Sequence, residues 1–123
     1  HHMHRETFAI PDETSRKISK ALVHRQPVVC IGTTSLRTLE TAWDGSKLVS
    51  QGASRLFLKP GHPPKVPCGL LTNFHLPESS LFILICSLLG TRQAHEIYTE
   101  AIRLSYRFFS YGDAMLIQGR SQK

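Results

Sequence analysis

The chain is short of acid. Its 123 residues carry 9 Asp and Glu against 15 Lys and Arg, a formal net charge of +6 with a pI near 9.6. Such a balance suits an anionic partner, nucleic acid among them. There is no basic arm, because no run of Lys or Arg exceeds two residues. There is no long apolar run either. The most apolar stretch, Leu81 to Leu89, is broken by Ser87 and falls far short of the roughly 20 residues that span a bilayer, so it reads as a buried helix and no membrane partner is expected. No secretory signal is read at the start of the chain. Cysteine is scarce: Cys30, Cys68 and Cys86, with no CxxC spacing. That argues against a disulfide framework and for a reducing cytoplasm. Cys30 and Cys86 stand in apolar runs and read as buried small hydrophobes. The 7 histidines include no pair with metal-ligand spacing, so no metal is expected.

What remains is an ordinary globular composition, 41% hydrophobic, in one domain at most. Helix and strand alternate along it. Pro11-Asp12-Glu13 opens a helix with acids in its first turn and Ile18, Ala21 and Leu22 on its apolar stripe; His24 and Arg25 follow and Pro27 stops it. Val28 to Ile31 is a continuous β-branched run, as in a strand covered on both faces. Thr33 to Trp43 is a second helix with Leu36, Leu39 and Trp43 on one face, closed by an Asp44-Gly45 turn. Leu56-Phe57-Leu58 and Leu70-Leu71-Thr72 read as strands. The proline-rich stretch from Lys59 to Gly69 is an irregular surface loop. Ala94, Ile97, Tyr98, Ala101 and Ile102 mark another helix, and Met115-Leu116-Ile117 a last strand. The alternation argues an α/β fold with a mostly parallel sheet and flanking helices.

Four segments are denser than a plain scaffold requires. Tyr106-Arg107-Phe108-Phe109-Ser110-Tyr111-Gly112-Asp113-Ala114-Met115 packs four aromatic rings among Arg, Ser, Gly and Asp. Either it lines a cavity, or it is a helix end at Arg107, a turn at Gly112 and a strand. Gly69-Leu70-Leu71-Thr72-Asn73-Phe74-His75-Leu76-Pro77-Glu78-Ser79-Ser80 places Asn73 and His75 after a strand end, where open α/β sheets bind ligands. A histidine there can move protons near neutral pH, or simply hydrogen-bond as a structural residue. Gly32-Thr33-Thr34-Ser35-Leu36-Arg37-Thr38-Leu39-Glu40 runs from a strand into a helix start. Hydroxyls are expected to cap its free amides, and the helix end favours an anion. Glu40 reads as solvated or as paired with Arg37 at i, i+3. The fourth segment is Met3-His4-Arg5-Glu6.

Together, in this order, the four segments resemble the S-adenosylmethionine:tRNA ribosyltransferase-isomerase family of the queuosine pathway. The resemblance covers nearly the whole chain, but only the C-terminal portion of that family's longer proteins. It implies residues 3–119 of a larger α/β domain, here without the family's N-terminal strands and inserted β-barrel subdomain. Residues 120–123 read as a tail, and His1 and His2 are left open between native chain and tag remnant. The implied reaction moves the ribosyl part of S-adenosylmethionine, a substrate here, onto 7-aminomethyl-7-deazaguanine at the wobble position of a tRNA, giving epoxyqueuosine. His75 and Asp113 are the expected proton-transfer residues. Thr33, Thr34, Ser35, Arg37, Asn73, Arg107 and Tyr111 would bind substrate, and Lys65 would contact tRNA phosphate. The alternative is a non-catalytic nucleotide- or tRNA-binding module derived from that family. One stretch departs from the family pattern: its Tyr, Phe and Asp are replaced by His62, Pro64 and Cys68. With that loop altered and half the domain missing, the chain alone is expected to be inactive and to self-associate through an exposed sheet edge.

Overall fold

The computed structural model describes residues 6–54, 64–66, 68–76 and 79–118. The expected strand at Leu56–Leu58, most of the proline-rich loop, Met3 to Arg5, Pro77, Glu78 and the 120–123 tail lie outside these residues. The chain divides into two compact units, residues 2–56, 65–71 and 116–123 in the first and 72–115, with 57–64, in the second.

In the first unit, β1 (Glu6–Ala9) pairs antiparallel with β3 (Gln51–Ser54), Phe8 opposite Gly52. A Cβ on Gly52 would come within 2.9 Å of the Phe8 ring, so the ring lies where any side chain at position 52 would be. Between these strands come α1 (Asp12–Val23), β2 (Val29–Ile31) and α2 (Thr33–Ala42). The α1 stripe buries Leu22, with Ile18 and Ala21 half-buried. Two serines on the same helix fasten the β3 side: the Ser15 hydroxyl donates to the Leu48 carbonyl, and the Ser19 hydroxyl accepts from the Leu48 amide, both at 2.9 Å. On α2, Leu36, Leu39 and Ala42 are buried, and the helix packs against β2 and β3. Asp44 builds the expected turn by accepting from the amides of Ser46 and Lys47.

The remaining sheet has the order β2-β4-β5, with β4 Gly69–Asn73 and β5 Ala114–Ile117. β2 and β4 are parallel, Cys30 opposite Leu70. The parallel pairing expected from the apolar strands is present between β2 and β4, but the fold is mixed, because the β1–β3 pair is antiparallel and separate. One face of the three-stranded sheet carries buried Cys30, Leu70 and Ile117. The alternate residues Val29, Ile31, Leu71 and Leu116 are 54%, 74%, 37% and 62% exposed. A parallel sheet is ordinarily covered on both faces; here one is bare.

The second unit is built from α3 (Ser80–Leu89), α4 (Thr91–Arg103) and the aromatic segments. The Ser79 hydroxyl caps α3 by accepting from the Phe82 amide at 3.1 Å. Gly90 ends α3, α4 begins at once, and the two helices pack on each other. The α4 stripe buries Ala94, Tyr98 and Ala101; Ile102, expected inside, is exposed. The helix ends at Arg103, so Arg107 does not terminate it. Arg107 lies in an extended stretch before a short 3-10 turn, Phe109–Tyr111.

Candidate functional site

The N-terminus of α2 follows β2 through Gly32. The Gly32 amide donates to the Leu71 carbonyl at 2.8 Å, so the turn springs directly from the sheet. No side chain caps this helix. The expected capping by Thr33, Thr34 and Ser35 does not form, because Ser35 turns its hydroxyl back to the Ile31 carbonyl at 3.1 Å. The first-turn amides keep the unpaired donors intrinsic to a helix start. Arg37 is not paired with Glu40 either. Its guanidinium reaches Glu6 of β1 at 3.5 Å, its side chain is 14% exposed, and its buried Nε has no hydrogen-bond partner. Glu40 instead accepts from the backbone amides of Lys65 and Val66 at 2.7 and 2.9 Å. Charge-assisted bonds to two amides outweigh a solvated pair at i, i+3. Glu40 thereby fixes the end of the proline-rich loop and leaves Lys65 exposed. Glu6 and Arg37, from two of the four dense segments, are thus brought together.

In the second unit Phe74 is 3% exposed and sits among Tyr98, Tyr106 and Phe108, ring centroids 5.4 to 5.5 Å away. Each such pair adds about 0.5–1.5 kcal/mol beyond burial. His75 follows directly. Its amide donates to the Tyr98 hydroxyl at 3.1 Å, and its Nε2 lies 3.0 Å from the Thr72 hydroxyl. Burial holds the imidazole below its ordinary value of 6.5, so the ring is neutral at pH 7. Asn73 is exposed at the end of β4. Thr72 thus holds the His75 ring and Tyr98 its backbone; neither was singled out in the sequence, where Tyr98 could be read only as a stripe residue of a helix.

The Phe74 carbonyl also accepts from the Phe109 amide at 2.9 Å. Phe109 has φ +59°, a left-handed backbone that is costly for a bulky residue. Beyond it, the Asp113 carboxylate accepts from the Arg107 amide and lies 3.5 Å from Arg107 Nε. Gly112 has φ +120°, and a Cβ there would meet the Arg107 guanidinium at 3.0 Å; glycine serves both the turn and the approach. Tyr111 is exposed. Arg107 and Asp113 are therefore joined in a latch, and Phe109 and Tyr111 are displayed outside it.

The family model described as queuosine biosynthesis protein matches residues 1–117. The chain belongs to the queuosine biosynthesis protein family. Members similar to it include the S-adenosylmethionine:tRNA ribosyltransferase-isomerases of Anaeromyxobacter dehalogenans, 42% identical over 98% of this chain and 35% of that protein, and of Rubrobacter xylanophilus, 46% identical over 97% and 34%. The crystal structure of the S-adenosylmethionine tRNA ribosyltransferase from Thermotoga maritima matches with a TM-score of 0.82 at 40% identity, covering 90% of this chain and 40% of that one. The chain spans about a third of the length of these curated family members. Among the described residues no cluster of His, Cys, Asp and Glu is arranged to hold a metal, and no helix is long and apolar enough to cross a membrane.

The folded state disfavours the charged His75 ring. The stability contributed by the neutral ring is complete above pH 6.5 and is lost as pH falls from 6.5 toward the lowered folded value. An NMR titration is expected to give a His75 midpoint below 6.5. Urea unfolding of the wild type relative to His75→Gln should lose stability across that window. A midpoint at or above 6.5 contradicts the burial argument.

Proposed function

We propose that this chain carries part of the substrate site of an S-adenosylmethionine:tRNA ribosyltransferase-isomerase acting in the cytoplasm. The observation that supports this reading most is the 40% identical, 0.82 TM-score likeness to the Thermotoga maritima enzyme. The substrates are S-adenosylmethionine and a tRNA bearing 7-aminomethyl-7-deazaguanine at the wobble position.

The chemistry asks for removal of a proton beside the sulfonium, departure of adenine, and an aminomethyl nucleophile held in place. His75 is the proposed proton acceptor: its ring is neutral and is oriented by Thr72. Asp113 already accepts from Arg107, which favours a positioning part for it, holding Arg107 toward an anionic group. Asn73 would orient the substrate. The uncapped amides of Thr33, Thr34 and Ser35 suit a carboxylate or phosphate. The partnerless Nε of Arg37 is a donor for substrate or for the rest of a longer protein. Tyr111 and Phe109 offer exposed rings on which a base can stack, at roughly 1–3 kcal/mol each, and Lys65 an exposed charge for tRNA phosphate. The second reading, a binding module without turnover, is favoured by the coverage of only a third of the relatives.

The isolated chain is expected to release no adenine from S-adenosylmethionine in the presence of the modified tRNA. A chimera in which it replaces the matching part of the Thermotoga maritima enzyme is expected to release it. Release by the chain alone overturns the claim that the rest of the domain is required. A folded chimera that binds tRNA and releases nothing overturns the enzyme reading in favour of the module.

The self-association of the isolated chain rests on β2. Val28 and Gly32 bond to the β4 side, so the backbone groups of Val29 and Ile31 point to the opposite edge, which no described strand pairs. An open groove of about 450 Å³ runs along that edge, lined by Pro11, Thr14 and Ile18 of the α1 side and by Thr34 and Thr38 of α2. In a protein three times as long the remaining chain would cover this edge and the bare face; without it, a second copy does. Sedimentation is expected to show a concentration-dependent dimer that Ile31→Lys abolishes. A monomer at all concentrations, or a dimer indifferent to Ile31→Lys, contradicts this.

A further inference from the structure

Two of the three cysteines are neighbours. Cys30 of β2 and Cys68, just before β4, place their sulfurs 3.6 Å apart. Both are buried and free. The strand register explains the meeting: Cys30 is opposite Leu70, and Cys68, two residues earlier, turns its side chain to the same buried face. The sulfurs need only approach to about 2 Å to bond, a change within reach of side-chain rotation between two strands already held in register. By the resemblance Cys68 replaces a family aspartate, and neither thiol has a part in the reaction proposed above.

We propose that Cys30 and Cys68 are a peroxide-responsive thiol pair that closes to an intramolecular disulfide. In the monomeric chain the route to the pair is the groove along β2, whose lining includes Cys30; it admits a molecule as small as hydrogen peroxide. Cys30 is the attacking sulfur. It is the member of the pair that lines the groove; the two sulfurs share a hydrogen bond, and the Cys30 thiol is held below its ordinary value by that bond. The Cys30 thiolate attacks one peroxide oxygen, the O–O bond breaks, and hydroxide leaves and takes up the thiol's original proton as water. The sulfur is now a sulfenic acid. The Cys68 sulfur then attacks Cys30, the S–S bond forms, and the sulfenic hydroxyl leaves with the Cys68 proton as a second water. Two thiols have lost two electrons and peroxide has gained them.

Cys86 lies on α3 in the other unit and is buried, its thiol raised by burial; it takes no part. The test treats the chain with hydrogen peroxide and measures intact mass and peptide linkage without reductant. The expected result is loss of the mass of two hydrogens, a Cys30–Cys68 linked peptide, and full reversal by dithiothreitol. Cys86→Ala behaves the same, and Cys68→Ser stops at a Cys30 sulfenic acid that a sulfenic-specific probe labels. The wild-type peptide map decides alone if Cys68→Ser does not fold. The proposal is overturned by a linkage through Cys86, by covalent dimers in place of the internal bond, or by peroxide oxidising Cys30 while Cys68 remains a free thiol.

Discussion

The second unit depends on the burial of one ring. Phe74 follows directly on the last residue of β4, and its backbone and side chain do separate work. The ring collects Tyr98, Tyr106 and Phe108 around it. The carbonyl takes the Phe109 amide, which stabilises the left-handed backbone at that residue. Tyr98 answers from α4 by accepting the His75 amide. Two stretches far apart in sequence, 72–76 and 106–113, are thereby fixed to each other before any charged side chain is considered. His75, Arg107 and Asp113 owe their positions to hydrophobic burial, and only their final orientation to hydrogen bonds. Removing a ring of this kind from a core costs about 3–5 kcal/mol, enough to loosen both stretches at once.

In the first unit the corresponding constraint is the parallel pairing of β2 with β4. It delivers Gly32 to the Leu71 carbonyl and so fixes where α2 starts. It also sets Cys30 against Cys68. Among the described residues, the same pairing leaves β2 with one edge unpaired and with Val29 and Ile31 exposed. The ladder that fixes the start of α2 is thus also the element with the most exposed apolar side chains of the sheet.

The helices were legible because their apolar residues recur at 3.6-residue spacing, as at Leu36 and Leu39 or Ala94, Tyr98 and Ala101. The strands Val29–Ile31 and Ala114–Ile117 were legible as short apolar runs. β1 and β3 were not. Glu6-Thr7-Phe8-Ala9 and Gln51-Gly52-Ala53-Ser54 have no apolar run, and they pair because the Phe8 ring lies over Gly52. Local spacing also misassigned partners. Arg37 and Glu40 are correctly spaced for a pair on one helix, but tertiary structure offered Arg37 a carboxylate on β1 and Glu40 two backbone amides. Ser35 was read as a cap but bonds backward into the strand, and Ser15 and Ser19 of α1, which no pattern singled out, hold Leu48. The candidate site residues were drawn from the dense segments; the residues that hold His75, Tyr98 and Thr72, were hidden among those that look like plain core.

Amide hydrogen exchange tests the part assigned to Phe74 most directly. The amides of His75 and Phe109, bonded to the Tyr98 hydroxyl and the Phe74 carbonyl, are expected to be protected and to exchange at comparable rates. In Phe74→Leu, which keeps the backbone carbonyl and shortens the side chain, both should lose protection together, while the Gly32 and Gly69 amides between β2 and β4 keep theirs. Protection of Phe109 persisting in Phe74→Leu, or loss at His75 alone, would show that the two segments are held independently and that the ring is not what joins them.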